Sequence, residues 1–398
     1  MSALFARSSW IAVIACAGSF AGLCFYESAS VAFPYLNLDE QGHVSYALHL
    51  AQSPEFFPSL TDMRLFDFAG NAWSGEPNFI NHPPLAYHLL SLFSDFSAVG
   101  PSVRTASIAF FALGFAAILF GLHCTGMFSG LGIAAVTMLC VLLKLQRFGE
   151  TFSNDSVAFL GGGLAFLGTV LLWKKDVSAR ALQTALAVGS AGTGLCIAAK
   201  LNAAVLVGMF GLVSIAAFAL RERSAFAHIS KPLLLLLFLT CTAVAWPYLA
   251  FIQEFGTPTP HTQGQIKMLS DSLEAPRLGL AAYLFQSLNG ALRNAGPDAM
   301  ITYAIFAAVT AGAVLMFSFR RQAEMFPLQP IARAALIATA LTLALHLAFS
   351  FQRHVQYGWQ PELYPRYYFP LLGPYLLIFF SAVNGLGPLR AFAPRIGS

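Results

Sequence analysis

Short polar clusters interrupt an otherwise apolar chain, and their side chains are of the kinds that move protons or hold anions. Asp39 and Glu40 stand side by side after the first apolar stretch, with His43 four residues beyond Asp39. Adjacent carboxylates at a membrane boundary are costly to desolvate unless something uses them. On a helix, Asp39 and His43 would share a face, a spacing that could hold a divalent metal or orient a base. Equally, Asp39 could cap a helix and Glu40 favour its positive end. His82 precedes Pro83 and Pro84, and the first proline keeps it out of the helical region, so its imidazole could project into a loop-lined cavity. Arg147, Glu150 and Asp155 crowd a polar elbow (RFGETFSNDS), more charge than a cap by Ser153, Asn154 or Asp155 requires. Lys200 ends one apolar run, and Arg366 opens the last, beside Tyr367 in YPRYYFP. Such cations suit a phosphate at the membrane surface, the guanidinium as a fork and the ammonium as a point charge. Snorkelling to lipid headgroups is the plainer alternative.

The elements that must position these residues are membrane spans. Of 398 residues, 57% are hydrophobic and only 10% charged, and the mean hydropathy is +0.67. A soluble domain carries about 25% charge, so the composition excludes a soluble enzyme, a disordered chain and a nucleic-acid-binding module. Ten apolar stretches can be drawn, over 10–32, 104–123, 130–147, 155–173, 181–199, 203–220, 233–251, 298–318, 331–350 and 367–384. They must be helices, because a backbone in lipid has to satisfy its own hydrogen bonds and the runs are too long for barrel strands. The expected fold is an all-α polytopic membrane protein of about ten spans, a single domain over 1–398.

Orientation follows from the lysines and arginines at alternate ends. With both termini cytoplasmic, inner segments hold twelve Lys and Arg against three acids, while the outer side holds nearly all remaining acids. Arg7, the first apolar run and Ser30-Val31-Ala32 loosely fit a cleavable leader. The run is longer than a leader core and nine spans follow, so a retained first helix is expected. Two outer loops are long, over 34–83 and 253–297. In the first, Val44, Ala47, Leu48 and Ala51 recur at helical spacing, which predicts a short amphipathic helix lying along the membrane surface; a second helix is predicted over 84–96. The six cysteines lie in or beside apolar stretches with no CxxC spacing, as small fillers do. Gly161, Gly162 and Gly163 fall inside a span, where glycines permit close helix packing.

Taken in order, the motifs resemble the GT-C superfamily of membrane glycosyltransferases, in particular the protein O-mannosyltransferases and the lipid A aminoarabinose transferases. The likeness rests on Asp39-Glu40 in the first outer loop, then HPPL from His82, then Arg104 opening the next span. Asn154-Asp155 follows at an outer elbow, then G-L-x(4)-K ending in Lys200, and R-Y-x-x-P from Arg366. The resemblance implies a donor sugar linked to a polyprenyl phosphate and an inverting displacement. It implies that Asp39 is the base and Asp155 a second acid that orients acceptor or sugar. Lys200 and Arg366 would neutralise the departing lipid phosphate, and Glu40, His43, His82, Arg147 and Tyr367 would bind or shape the substrate pocket. Metal dependence varies among such enzymes, so a divalent cation stays open.

With a modest outer face, the expected acceptor is a cell-envelope glycan or a lipid-linked one, and the expected partners are the donor, the acceptor and membrane lipid. The expected compartment is the bacterial inner membrane. A transporter or flippase, or a non-catalytic subunit for lipid-linked glycans, is the alternative. A transporter would more often place ionisable groups at mid-span, and here charge concentrates in outer loops.

Overall fold

The computed structural model describes residues 2–35, 39–96, 100–174, 178–222, 229–270, 276–293, 310, 329–358 and 364–385. Seven helices are long and apolar enough to cross a membrane. They are α1 (Ser2–Ser30, apolar from Trp10), α4 (Arg104–Cys124), α6 (Asp155–Leu172), α7 (Ala179–Ala199), α8 (Leu201–Arg221), α9 (Lys231–Phe255) and α12 (Gln329–Tyr357). Large apolar side chains stand bare along them, Leu234, Leu235, Leu236, Phe238 and Leu239 on α9 among them. On a polytopic membrane protein such faces are solvated by lipid.

Two expected spans differ, and a third lies almost wholly outside the described residues. The stretch 130–147 is a 13-residue helix, α5 (Gly130–Leu142), ended by Lys144 in the left-handed region (φ 58) and a 3₁₀ turn over Leu145–Phe148; this is short of the roughly 20 residues that cross a bilayer. The final stretch starts as a 3₁₀ turn, Pro365–Leu371, because Pro370 withholds a backbone donor, and becomes α13 (Leu372–Gly385) only afterwards. The stretch 298–318 lies, apart from residue 310, outside the described residues.

The core centres on α6, which packs against α4 and α7. Its glycines do what their position suggested. Gly161 lies against the Gly192 carbonyl of α7, Gly163 against the Gly114 carbonyl of α4, and Gly162 against the Pro370 carbonyl, none with room for a Cβ. Small residues let backbones approach where no hydrophobic force drives helices together. The Gly162 contact seats the 3₁₀ turn that carries Arg366 directly on α6. All six cysteines are free.

The first outer loop is more built than expected. It holds α2 (Glu40–Gln52) and an antiparallel hairpin of β1 (Arg64–Asp67) and β2 (Ala72–Pro77) with Phe66 opposite Trp73, and α3 (Leu85–Phe93) follows it. The amphipathic helix expected on the membrane surface is instead enclosed by protein: Glu40, Gly42, His43, Val44, Ser45, Tyr46, Ala47, Leu48 and Leu50 are all buried. Gly42 lets Phe79 and Ile80 close over one side, and Ser45 Oγ accepts the Phe66 amide, tying the hairpin to the other. The second loop contains α10 (Gln263–Ser270) and α11 (Leu280–Arg293). It docks on the first: Asn81 Nδ2 donates to the Pro260 carbonyl at 2.9 Å, and Lys267 pairs with Glu76.

Candidate active site

Four charged residues from distant parts of the chain meet at one end of the bundle. Lys200 Nζ is paired with an Asp155 carboxylate oxygen, while Arg366 approaches the other Asp155 oxygen at 3.9 Å and an Asp39 oxygen at 3.7 Å. Acids and cations alternate, so the formal charges of the four cancel.

Each is placed by a local break in regular structure. Asp39 precedes α2 in the left-handed region (φ 59, ψ 21), a strain of about 1–3 kcal/mol for a non-glycine residue, and makes no side-chain cap. The capping alternative therefore fails for it. Asn154 occupies the cap position of α6, yet its Nδ2 donates to the Ala199 carbonyl at 2.7 Å instead. That carbonyl is free because Lys200 is extended (φ −167, ψ 153) and interrupts α7 and α8. The same break turns Lys200 toward Asp155, at the positive end of α6 where a carboxylate is favoured. Arg366 sits in the proline-bounded 3₁₀ turn, its guanidinium 4.9 Å from the Tyr364 ring centre and 5.8 Å from that of Tyr367; Lys200 Nζ lies 5.0 Å from the Tyr367 ring. The aromatic rings strip water from both cations while compensating part of their charge.

Exposure separates the two acids. The Asp39 side chain is 45% exposed, Asp155 20%, Arg366 12% and Lys200 6%. Of the two acids, Asp39 is the more open to solvent. Burial, and then the charge of Arg366, press the Lys200 ammonium well below its usual range, a pressure that a bound anion would relieve. Beneath the charges lies a small cavity lined by Phe111, Phe148, Phe159 and Phe369 together with Asp155, Lys200 and Arg366.

His43 and His82 stand behind this cluster. Their rings stack at 6.1 Å, and His43 Nδ1 shares a 2.7 Å hydrogen bond with the Tyr87 hydroxyl. Tyr46 stacks on Tyr87 at 4.2 Å and donates to the His82 carbonyl. Burial first, and then neighbouring His82, Arg366 and Lys200, hold His43 well below 6.5; burial, Lys200 and Arg366 bring His82 down to about 3. Both imidazoles are neutral at physiological pH. Since their native pKa values lie below the unfolded value, the native state is favoured above about pH 6.5 and loses that advantage as pH falls toward 3. The thermal midpoint of purified protein is therefore expected to fall less steeply between pH 6.5 and 4 in His82→Gln than in the parent. Parallel slopes would mean that His82 is already protonated in the native protein.

Two of the expected substrate contacts are placed elsewhere. Glu40 is fully buried: it receives the Arg104 guanidinium on both oxygens, at 2.7 and 2.6 Å, and the amides of Tyr35 and Phe152 at 2.7 Å each. A carboxylate saturated in this way has no lone pair left to offer a substrate. Arg147 lies in the 3₁₀ turn of the elbow, where its field acts on Glu150. Burial and neighbouring Glu27 push the Glu150 carboxyl up to about 8. Of the elbow's three charges only Asp155 reaches the cluster. His43 commits its Nδ1 to the Tyr87 hydroxyl, which leaves Nε2 as the ring's other polar atom. Among the described residues no three His, Cys, Asp or Glu side chains gather as metal ligands.

The roles of Arg104, Tyr46, Tyr87 and Tyr364 were not foreseen. Of these, the sequence had marked Arg104, as the residue that opens the span after HPPL, without giving it a role.

No protein-family model and no curated protein matches the sequence. Among solved structures, the chain is similar to ArnT from Cupriavidus metallidurans bound to undecaprenyl phosphate. The identity is 14% and the TM-score 0.53, over 94% of this chain and 60% of that one. The apo structure of the same ArnT aligns with 14% identity and a TM-score of 0.48, over 88% of this chain and 55% of that one. The chain shares the polytopic membrane fold of that ArnT and spans about 60% of its length.

Proposed function

We propose that this chain is an integral membrane glycosyltransferase of the GT-C type, moving a sugar from a polyprenyl-phosphate donor to an acceptor hydroxyl at the outer membrane face. The observation that carries the reading is the convergence of Asp39, Asp155, Lys200 and Arg366. Two desolvated cations provide an anion site, and a half-exposed carboxylate stands beside it. The ArnT structure with bound undecaprenyl phosphate supports the donor class.

In the proposed reaction the acceptor oxygen attacks the anomeric carbon from the side opposite the lipid phosphate. Asp39 takes the proton of that hydroxyl as the new carbon–oxygen bond forms. The bond between the anomeric carbon and the phosphate oxygen breaks, and its electron pair leaves on the phosphate. Lys200 and Arg366 meet that growing charge, a fixed electrostatic stabilisation that needs no reorganisation at the moment of transfer. Asp155 holds both cations in place, and Tyr367 lies between them. Neutral His82, with hydrogen-bonding capacity and no charge, suits a sugar hydroxyl better than a phosphate. The acceptor is a cell-envelope glycan or a lipid-linked glycan, and the membrane is the bacterial inner membrane with both termini cytoplasmic.

The test is release of the lipid phosphate when purified protein is given a panel of polyprenyl-phosphate sugars with envelope extract as acceptor. Release from one donor supports the transfer and names the sugar class. No release from any donor, under conditions where the donors bind, would replace the enzyme with a non-catalytic subunit for lipid-linked glycans.

A further inference from the structure

The two carboxylates come from segments with no bond to each other in sequence, yet one buried ion pair holds both. Arg104 is 0% exposed, as is Glu40. Its guanidinium spends two donors on Glu40 and others on the carbonyls of Ser28 at 2.8 Å, in the last turn of α1, and of Val31 at 3.2 Å and Ala32 at 2.8 Å just beyond it. Glu40 directly follows Asp39, and its Oε1 accepts the amide of Phe152, three residues before Asp155. One turn further along α4, Ser107 Oγ donates to the Thr151 carbonyl at 2.9 Å, and it accepts the Ser153 amide at 3.3 Å. The elbow then reaches the Lys200 segment through Asn154 and the Ala199 carbonyl.

We propose that Arg104 and Glu40 are positioning residues which set the separation of Asp39 and Asp155. The proposal rests on the reading that these carboxylates serve the transfer. Neither Arg104 nor Glu40 meets substrate. A buried ion pair is a poor source of net stability, and its best-attested return is one fixed arrangement. Here the arrangement fixed is that of four backbone segments: the end of α1, the start of α2, the start of α4 and the elbow before α6. A planar fork is needed, because a lysine cannot serve two carboxylate oxygens and three carbonyls together.

The test uses full-length Arg104→Lys and Glu40→Gln, the second keeping size while replacing one acceptor by a donor that opposes either the Phe152 or the Tyr35 amide and one Arg104 N–H. Donor-loaded protein is followed through a single turnover, whose rate constant does not depend on the fraction of folded molecules. A displacement of about 1 Å at the reacting groups lowers such a constant about a hundredfold, and that loss is expected with donor affinity within about threefold of wild type. Among the described residues no hydrogen bond or ion pair joins Lys200 or Arg366 to Arg104 or Glu40. Amide exchange is expected to quicken together at the Asp39 segment and at the elbow. An unchanged rate constant, or faster exchange at only one of the two segments, would overturn the proposal. If wild-type protein turns over no donor yet Arg104→Lys loosens both segments together, the transferase reading fails while the positioning of the two carboxylates is upheld.

Discussion

Asp39→Asn should abolish most turnover while leaving the donor bound. The substitution removes a proton acceptor and almost no volume, and a positioned general base contributes about a hundredfold to ten-thousandfold in rate. Donor affinity has a predictable sign as well. The Asp39 carboxylate lies 3.7 Å from Arg366 and competes with any phosphate for that guanidinium, so neutralising it should hold affinity constant or tighten it. A fall in kcat with an unchanged or lower donor dissociation constant is the signature of a group acting in the transition state rather than in ground-state binding. Single-turnover measurements beside donor-binding isotherms would separate the two. Wild-type turnover in Asp39→Asn would remove the residue from the chemistry and leave the exposed carboxylate as a spectator of its cation.

Arg366→Ala is expected to damage binding and chemistry together. The lost contact to phosphate is a charge-assisted one, worth about 1.5–3 kcal/mol, or roughly ten- to more than a hundredfold in donor affinity. Its loss also leaves Asp39 and Asp155 near one another with only Lys200 to balance them. Two carboxylates deprived of a shared cation hold protons more tightly, so the acid limb of the kcat profile should move to higher pH. Arg366→Lys keeps the charge without the fork and should fall between the two. Unchanged donor affinity in Arg366→Ala would assign the phosphate to other residues. An unshifted acid limb with weakened affinity would mean that the guanidinium binds donor without tuning Asp39.

The site was legible in the sequence by residue type and much less by geometry. Asp39, Asp155, Lys200 and Arg366 attracted notice because charge beside lipid is expensive wherever it stands. Their meeting was implied by the family resemblance and not by the residues themselves, since Asp39 and Arg366 lie on elements at opposite ends of the chain. Glu40 looked like a partner of Asp39 because the two are adjacent. Its partners prove to be Arg104, 64 residues away, and the Phe152 amide, 112 away. Arg147 was grouped with Asp155 by proximity in the elbow, yet the 3₁₀ turn directs its field to Glu150. In the first outer loop the helical spacing of Val44, Ala47, Leu48 and Ala51 placed α2 correctly. It could not reveal that the hairpin and α3 enclose both sides of that helix, because apolar periodicity records only that a face is buried and not what buries it.

By itself the sequence determined that the chain is built of apolar membrane helices, seven of spanning length among the described residues, and that charge gathers at their ends. Transfer of an uncharged apolar run into lipid is a sum over neighbouring residues, so composition along a window is enough to predict it. Tertiary structure alone decided which carboxylate meets which cation, which acid remains open to a substrate and which is sealed into a structural pair. Those outcomes depend on distances between groups far apart in the chain, and electrostatic energy in a dry interior varies steeply with both separation and burial. Asp39 and Glu40 differ by one methylene and one position, and the fold gives one of them to solvent and the other to Arg104.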